Sequence, residues 1–217
     1  IGNSKGLFGY HKSTNANFSL TIRTPDGTGS GYAAGDFNDV SKLKTGALTD
    51  IAIQKARASQ KAVALEPGKY TVILEPLAAG ELIQFMMRAM DARTADEGRS
   101  FLSKKGGGTR LGEKLLDERV TIYSDPTDSQ VPSSPFSGDG YPYEKVVWFD
   151  KGVVKNMSYS PYWAKQKGVK PLPEPSGFVM EGGTQSLADM IKGTEKGILV
   201  TRFWYTRWLD PQTLLYT

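Results

Sequence analysis

Carboxylates supply the first chemistry in this chain. Glu75 and Glu81 sit within Pro67 to Asp91 (PGKYTVILEPLAAGELIQFMMRAMD), and Glu66 lies just upstream. Such a pair can divide acid and base work when burial raises the pKa of one member. The plainer role is favoured: Glu75 complements a helix dipole and Glu81 faces water. His11 is the single histidine and has no partner beside it, so a surface or core role outweighs that of a lone base. Asp125, Asp128 and Asp139 offer oxygens to a hard cation. Their spacing lacks the order of a calcium-binding loop, and a solvated loop is expected. Lys104 to Thr109 (KKGGGT) places its lysines ahead of its glycines with nothing apolar before them. A phosphate-cradling loop needs the opposite order, so this stretch reads as a mobile connection. Phe203, Trp204, Tyr205 and Trp208, with Arg202 and Arg207, could stack a ligand or mark an interface. A core strand with an arginine-lined outer face explains them as well.

Composition narrows the chemistry further. The chain has no cysteine, which removes disulfides, thiolate ligands and cysteine nucleophiles. With one histidine, a zinc site or a serine–histidine relay has almost nothing to draw on. No metal or other cofactor is expected. The 217 residues are 39% apolar and 23% charged, enough for one large or two modest domains with a real core. No apolar run reaches the length that spans a bilayer, and nothing at the start resembles a signal peptide. The formal net charge of +4 is spread along the chain, so direct nucleic-acid binding is unlooked for. Ile1 and Thr217, the latter straight after an apolar strand-like run, read as cuts through a larger protein.

The elements that would position these residues are strands with helices between and beside them, an α+β pattern dominated by antiparallel hairpins. Phe18, Leu20 and Ile22 alternate with Ser19, Thr21 and Arg23 in a half-buried strand over Thr14 to Thr24. Pro25-Asp26-Gly27 turns it back into Thr28 to Asp36. Asp39 is a candidate N-cap for helical spacing over Leu43 to Val63. Tyr70 to Leu74 reads as a buried strand, delivered straight into an amphipathic helix that starts at Pro76. Ala92 to Ser103 is charged and polar. A short helix is expected over Leu111 to Leu116, a strand over Arg119 to Tyr123, and a long irregular loop over Asp125 to Tyr141, of a length that is often functional. Glu144 to Phe149 and Val153 to Tyr159, joined by Asp150-Lys151-Gly152, make the strongest hairpin. Pro161 to Lys167 and Ser186 to Lys192 read as short helices, with a proline-rich spacer (Lys170 to Gly177) between them. Gly197 to Leu209 reads as an aromatic-rich strand or pair.

Several stretches, taken together and in order, resemble the TldD/PmbA (TldE) family. They are NSKGLF, PGKYTVILEP, GTRLGEKLLDERVTIYSDPTD, SPFSGDGYP, VVWFDKGVVKNMSYSPYWAKQKG and GILVTRFWY. The resemblance covers essentially the whole chain. Residues 1–65 correspond to the end of the N-terminal or middle region, and 66–217 to a C-terminal domain cut short at its end. The family, once called modulators of DNA gyrase, is regarded as an intracellular peptidase system, so a cytoplasmic location is implied. Its TldD branch carries His-Glu-x-x-x-His on the corresponding strand–helix, binding zinc and supplying a general base. Here the first histidine and the glutamate fall at about Glu75 and Pro76, and the second histidine at about Gly80.

The resemblance therefore implies the TldE/PmbA branch, without the zinc motif and with no catalytic residue of its own. It further implies a dimer, with a TldD-like zinc subunit or a second copy, that handles peptides held as an added strand. Residues expected in the chamber wall are Ser134, Pro135, Phe136, Gly138, Arg202 and Trp204. Two rival readings remain: an independent hydrolase using Glu75 or Glu81, and a gyrase- or nucleic-acid-associated binding module.

Overall fold

The computed structural model describes residues 1–217 and resolves into two compact units. The smaller spans His11–Tyr70; the larger joins Ile1–Tyr10 to Thr71–Thr217.

In the smaller unit, β1 (Ala16–Arg23) pairs antiparallel with β2 (Ser30–Phe37), in register from Ala16 opposite Phe37 to Arg23 opposite Ser30. Burial alternates along β1 as its sequence pattern requires, with Phe18, Leu20 and Ile22 turned inward. Asp26 organises the hairpin turn by accepting from the hydroxyls of Thr24 and Thr28 and from Thr28 N. Those donors hold its carboxyl down at about 2. Asp39 does cap, but it caps a 3-10 turn over Val40–Lys42, accepting from Ser41 N. Helix α1 starts only at Thr45 and ends at Ala58, short of the expected Val63.

The small residues explain how α1 docks. Ala52 and Ala56 are fully buried. A Cβ on Gly31 would lie 2.0 Å from Ala52 O, and one on Gly29 would lie 2.2 Å from Ala56 O. The helix backbone thus rests directly on the strand backbone.

The larger unit opens with β3 (Thr71–Leu74), which runs directly into α2 (Pro76–Arg88) with proline at the first turn. β3 pairs in parallel with β8 (Gly197–Val200), a departure from the antiparallel hairpins elsewhere. Nor is β3 a buried strand: Thr71 and Val72 are exposed and Ile73 and Leu74 half-buried. One strand neighbour leaves it too little cover for full burial.

The main sheet has the order β6–β5–β4–β7, all antiparallel: β4 is Ile122–Ser124, β5 Val146–Asp150, β6 Val153–Val154 and β7 Val179–Met180. Its core joins Ile122, Trp148, Phe149 and Val154 to Met86, Met87 and Met90, which come from the end of α2 and the residues just after it. Each fully buried side chain of this size contributes on the order of 2–3 kcal/mol.

The segment after Asp91, polar by composition, contributes to that core. Asp91 accepts from Thr94 N to cap α3 (Ala92–Asp96), whose Ala92 and Ala95 are buried along with Phe101 and Leu102. Two further expectations are corrected, at Leu111–Leu116 and at Phe203–Tyr205. Leu111–Leu116 is not helical, because its backbone bonds to the β5–β6 hairpin: Gly112 N donates to Val154 O, and Leu115 N to Gly152 O. Lys104–Thr109 is a closed turn of left-handed glycines, and Lys104 bonds Glu113 at 2.9 Å. Phe203–Tyr205 lie outside any strand, between β8 and β9 (Trp208–Asp210).

The β5–β6 turn has φ of 47° at Lys151 and 78° at Gly152, the two positive values of a type I′ hairpin. Gly152 N donates to Val120 O, and a Cβ there would lie 2.1 Å from Leu116 O. Helix α4 (Pro161–Lys167) is capped by Ser160 and stopped by left-handed Gly168; α5 (Leu187–Lys192) is capped by Ser186. Strand β10 (Leu215–Tyr216) folds back on β9. No helix is long and apolar enough to cross a membrane.

Candidate functional site

A hollow of about 480 Å³ in this unit lies between β5 and the proline-rich spacer. Its floor comes from a bulge in the sheet. Ile122 pairs with Phe149 and Tyr123 with Val147, so Trp148 is the extra residue of β5. Trp148 is buried, and its Nε1 donates to Ser124 Oγ at 3.0 Å. Its carbonyl accepts from Lys155 N, and the neighbouring Val147 carbonyl accepts from Asn156 Nδ2 at 2.8 Å. The Asn156 amide thereby takes over the pairing where β6 ends.

Two irregular segments form the walls. Tyr141, Pro142 and Tyr143 come from the end of the long loop, and Pro171, Pro173 and Pro175 from the spacer. The spacer is tied down by a pair of bonds between Tyr159 and Leu172, at 2.7 and 3.0 Å. The loop is tied by Tyr143 N to Pro135 O and by Ser137 N to Tyr141 O. At the mouth Lys170 pairs with Glu144 at 3.3 Å, and Lys145 lies 3.7 Å from Asp125 and over the Tyr123 ring. Prolines and tyrosines leave few free backbone donors, so the hollow is apolar-walled with polar groups at its ends, suited to an extended chain.

A second hollow of about 240 Å³ shares Tyr141, Tyr143, Pro171, Leu172 and Pro173 with the first. Burial, and then the Glu174 carboxylate, push the Tyr143 hydroxyl up. Burial and then Asp96 do the same to Tyr159.

The residues singled out from sequence fall into three places. Ser134, Pro135, Phe136 and Gly138 stand behind the tyrosine wall and are not among the residues lining these two hollows. Ser134 Oγ donates to Phe136 O at 2.7 Å, and Phe136 bridges to Pro142 and packs on Gly9. They brace the wall. Arg202 and Trp204 form their own pair, with the guanidinium 4.6 Å from the indole, and Trp204 is 78% exposed. Arg207 stacks on Tyr205 at 4.2 Å, while Trp208 packs inward on Phe85 and Tyr216. The third place is the start of α2. Glu75 is its N-cap without a side-chain cap bond, Pro76 is exposed, and Gly80 has open space where a Cβ would stand.

Asp125 and Asp128 are used on their own loop, accepting from Thr127 N and from Gln130 N. Asn156, Trp148, Tyr143 and Glu174 were missed by sequence reasoning. The one signal available for this region was the alternation of proline at 171, 173 and 175, which is the pattern of a rigid extended wall.

Comparison with known proteins gives this architecture a place. Residues 67–217 match the family model of the PmbA/TldA metallopeptidase C-terminal domain, and residues 1–65 that of its central domain. The chain belongs to the PmbA/TldD metallopeptidase family. The family boundary falls close to Tyr70, where the structural units divide, although Ile1–Tyr10 joins the larger unit. An uncharacterized protein of Methanocaldococcus jannaschii is 30% identical over 165 residues, covering 70% of this chain and 37% of that protein. A metalloprotease of Archaeoglobus fulgidus is 34% identical over 108 residues, covering 49% of this chain and 24% of that protein. The chain thus spans well under half the length of these two relatives.

Among solved structures, a protein of Bacteroides thetaiotaomicron assigned as a modulator of DNA gyrase superposes with a TM-score of 0.82 at 28% identity. That match covers 96% of this chain and 48% of the other. TldE from Thermococcus kodakarensis shares the fold, with a TM-score of 0.71 at 22% identity over 87% of this chain and 45% of that one.

A metallopeptidase family implies a metal, and the donors here do not fit one. No group of three or more His, Cys, Asp or Glu side chains is placed to hold an ion. At the start of α2, Pro76 and Gly80 have no donor side chain and Glu75 offers a single carboxylate, with no imidazole beside it.

Proposed function

We propose that this chain is a TldE/PmbA-like, non-catalytic part of a cytoplasmic metallopeptidase complex. A TldD-like partner would bear the zinc, and this chain would supply a wall of the peptide chamber together with the dimer surface. The observation that carries this reading is the start of α2, where Glu75, Pro76 and Gly80, the residues that the family resemblance sets against the zinc motif, include no histidine. A strand leads directly into a helix there, and neither Pro76 nor Gly80 has a metal-binding side chain. Family membership supports the peptidase context, and the apolar-walled hollow beside β5 supports a chain that holds an extended peptide.

The test is elemental analysis of the natively purified chain with peptide hydrolysis assayed on the same sample. A TldD-like zinc subunit is then added. The expected result is substoichiometric zinc and no turnover alone, with turnover appearing in a stable complex with the partner. Near-stoichiometric zinc with turnover by the chain alone would sink the reading. Glu75→Gln and Glu81→Gln would then identify the base.

A further inference from the structure

We infer that the smaller hollow is a seat for a lysine or arginine side chain of a peptide lying along the proline-walled groove. This deepens the peptide-chamber reading above and rests on it.

The two hollows share a wall, so one extended chain can follow both. Their chemistry differs. Asp91, Asp139 and Glu174 border the smaller one, and no lysine or arginine is among its lining residues. The nearby cations are already engaged, Lys167 by Asp96 at 3.0 Å and Lys170 by Glu144 at 3.3 Å. Asp139 and Glu174 are exposed at the rim, and neither is engaged by a hydrogen bond or an ion pair. Three carboxylates and no cation thus border one hollow in a chain of net charge +4.

A cleft of one sign with low-dielectric walls focuses its field on the opposite charge. Tyr141, Tyr143 and Tyr159 in the lining are residues able to add cation–π attraction for an ammonium or guanidinium.

A metal ion does not suit these carboxylates. They come from three separate segments and are not gathered into a coordinating group, and a hard cation needs its oxygens converged on one point. The several N–H groups of a lysine or arginine can reach dispersed acceptors instead. The larger hollow, walled by prolines and floored by Val146, Val147 and Trp148, suits an apolar neighbour on the same peptide. Alternate residues of an extended chain point the same way, so a basic residue spaced by one from an apolar one fits the pair.

The experiment uses three blocked hexapeptides, identical except for lysine, norleucine or glutamate at one central position. Their binding to this chain is measured by calorimetry. The lysine peptide is expected to bind roughly tenfold tighter than the norleucine peptide, and the glutamate peptide weakest. Asp139→Asn with Glu174→Gln should bring the lysine-to-norleucine ratio close to one while leaving the norleucine affinity unchanged. Both positions are exposed, and tryptophan fluorescence checks that the variant is folded.

Equal affinity for lysine and norleucine, or a ratio that survives the double substitution, would overturn the basic seat and leave the chamber reading standing. Competition by free N-acetyl-lysinamide as strong as by the peptide would assign the hollow to a small cation and overturn the peptide subsite. No binding of any peptide would overturn it as well. The hydrolysis assay with the zinc-bearing partner then decides the chamber reading independently.

Discussion

Replacing Gly152 by alanine probes the hairpin that carries the site floor. Two costs add. The residue holds φ at 78°, where an L side chain loses on the order of 1–2 kcal/mol. The new Cβ would also lie 2.1 Å from Leu116 O and 2.8 Å from Asp117 O, both backbone atoms. Forced overpacking costs about 1–3 kcal/mol, and the upper part of that range applies where no flexible side chain can give way. Moving residues 115–117 would stretch the bonds from Leu115 N and Leu116 N to Gly152 O, now 2.8 and 3.1 Å. The expected total is about 3–5 kcal/mol.

Gly168→Ala is the matched control. Its φ is 67°, and nothing lies within 4 Å of the added carbon, so only the handedness cost of about 1 kcal/mol applies. Trp148, Trp163, Trp204 and Trp208 all belong to the larger unit, so tryptophan fluorescence during urea denaturation reads that unit alone. With a slope of about 2 kcal/mol/M, the midpoint should fall by roughly 1.5–2.5 M for Gly152→Ala and about 0.5 M for Gly168→Ala. Equal shifts would refute the close approach of residues 116–117 to the turn.

Trp148→Phe strands the Ser124 hydroxyl in a buried site, and Ser124→Ala strands the indole N–H. Each should cost about 1–3 kcal/mol in the same urea assay, and the double variant less than their sum, because no polar group is then left unpaired. Asp26 gives the smaller unit an acid-sensitive turn. Its carboxyl is depressed from the ordinary 3.8 to about 2 by the Thr24 and Thr28 hydroxyls, so its contribution is present above pH 3.8 and lost as pH falls toward 2. An NMR titration should place the Asp26 midpoint near that lower value, and Thr24→Val should raise it.

What was legible in the sequence was local. Pro76, Ser160 with Gly168, Ser186 with Gly193, and Asp150-Lys151-Gly152 each set a boundary through their own backbone preferences. Burial in Ala92–Leu102 was not legible, because its inward residues are two alanines and a Phe-Leu pair set among charges. Their burial depends on the sheet brought over them. Phe203–Tyr205 has strand-like composition but no neighbouring strand to pair with.

The site was legible in part. The absence of histidine at Glu75, Pro76 and Gly80 is a property of the residues themselves. The hollow depends on Tyr141–Tyr143 meeting Pro171–Pro175, and the Tyr159–Leu172 bridge that anchors the spacer leaves no pattern in either segment. Ser134–Gly138 belong to the irregular loop, and their bonds run within it and to Tyr143.

The glycines beneath α1 carry a consequence for how the smaller unit folds without error. Gly31, Ala33 and Gly35 fall on one side of β2 and Gly29 stands just before it, a row of minimal side chains facing the helix. A hairpin slipped by one residue would offer Ser30 and Tyr32 to the helix instead, and one slipped by two would set Ala33 where only Gly31 fits. Neither could receive α1. The helix thus acts as a gauge that accepts one alignment of the two strands, and misaligned hairpins stay undocked, free to reopen and pair again.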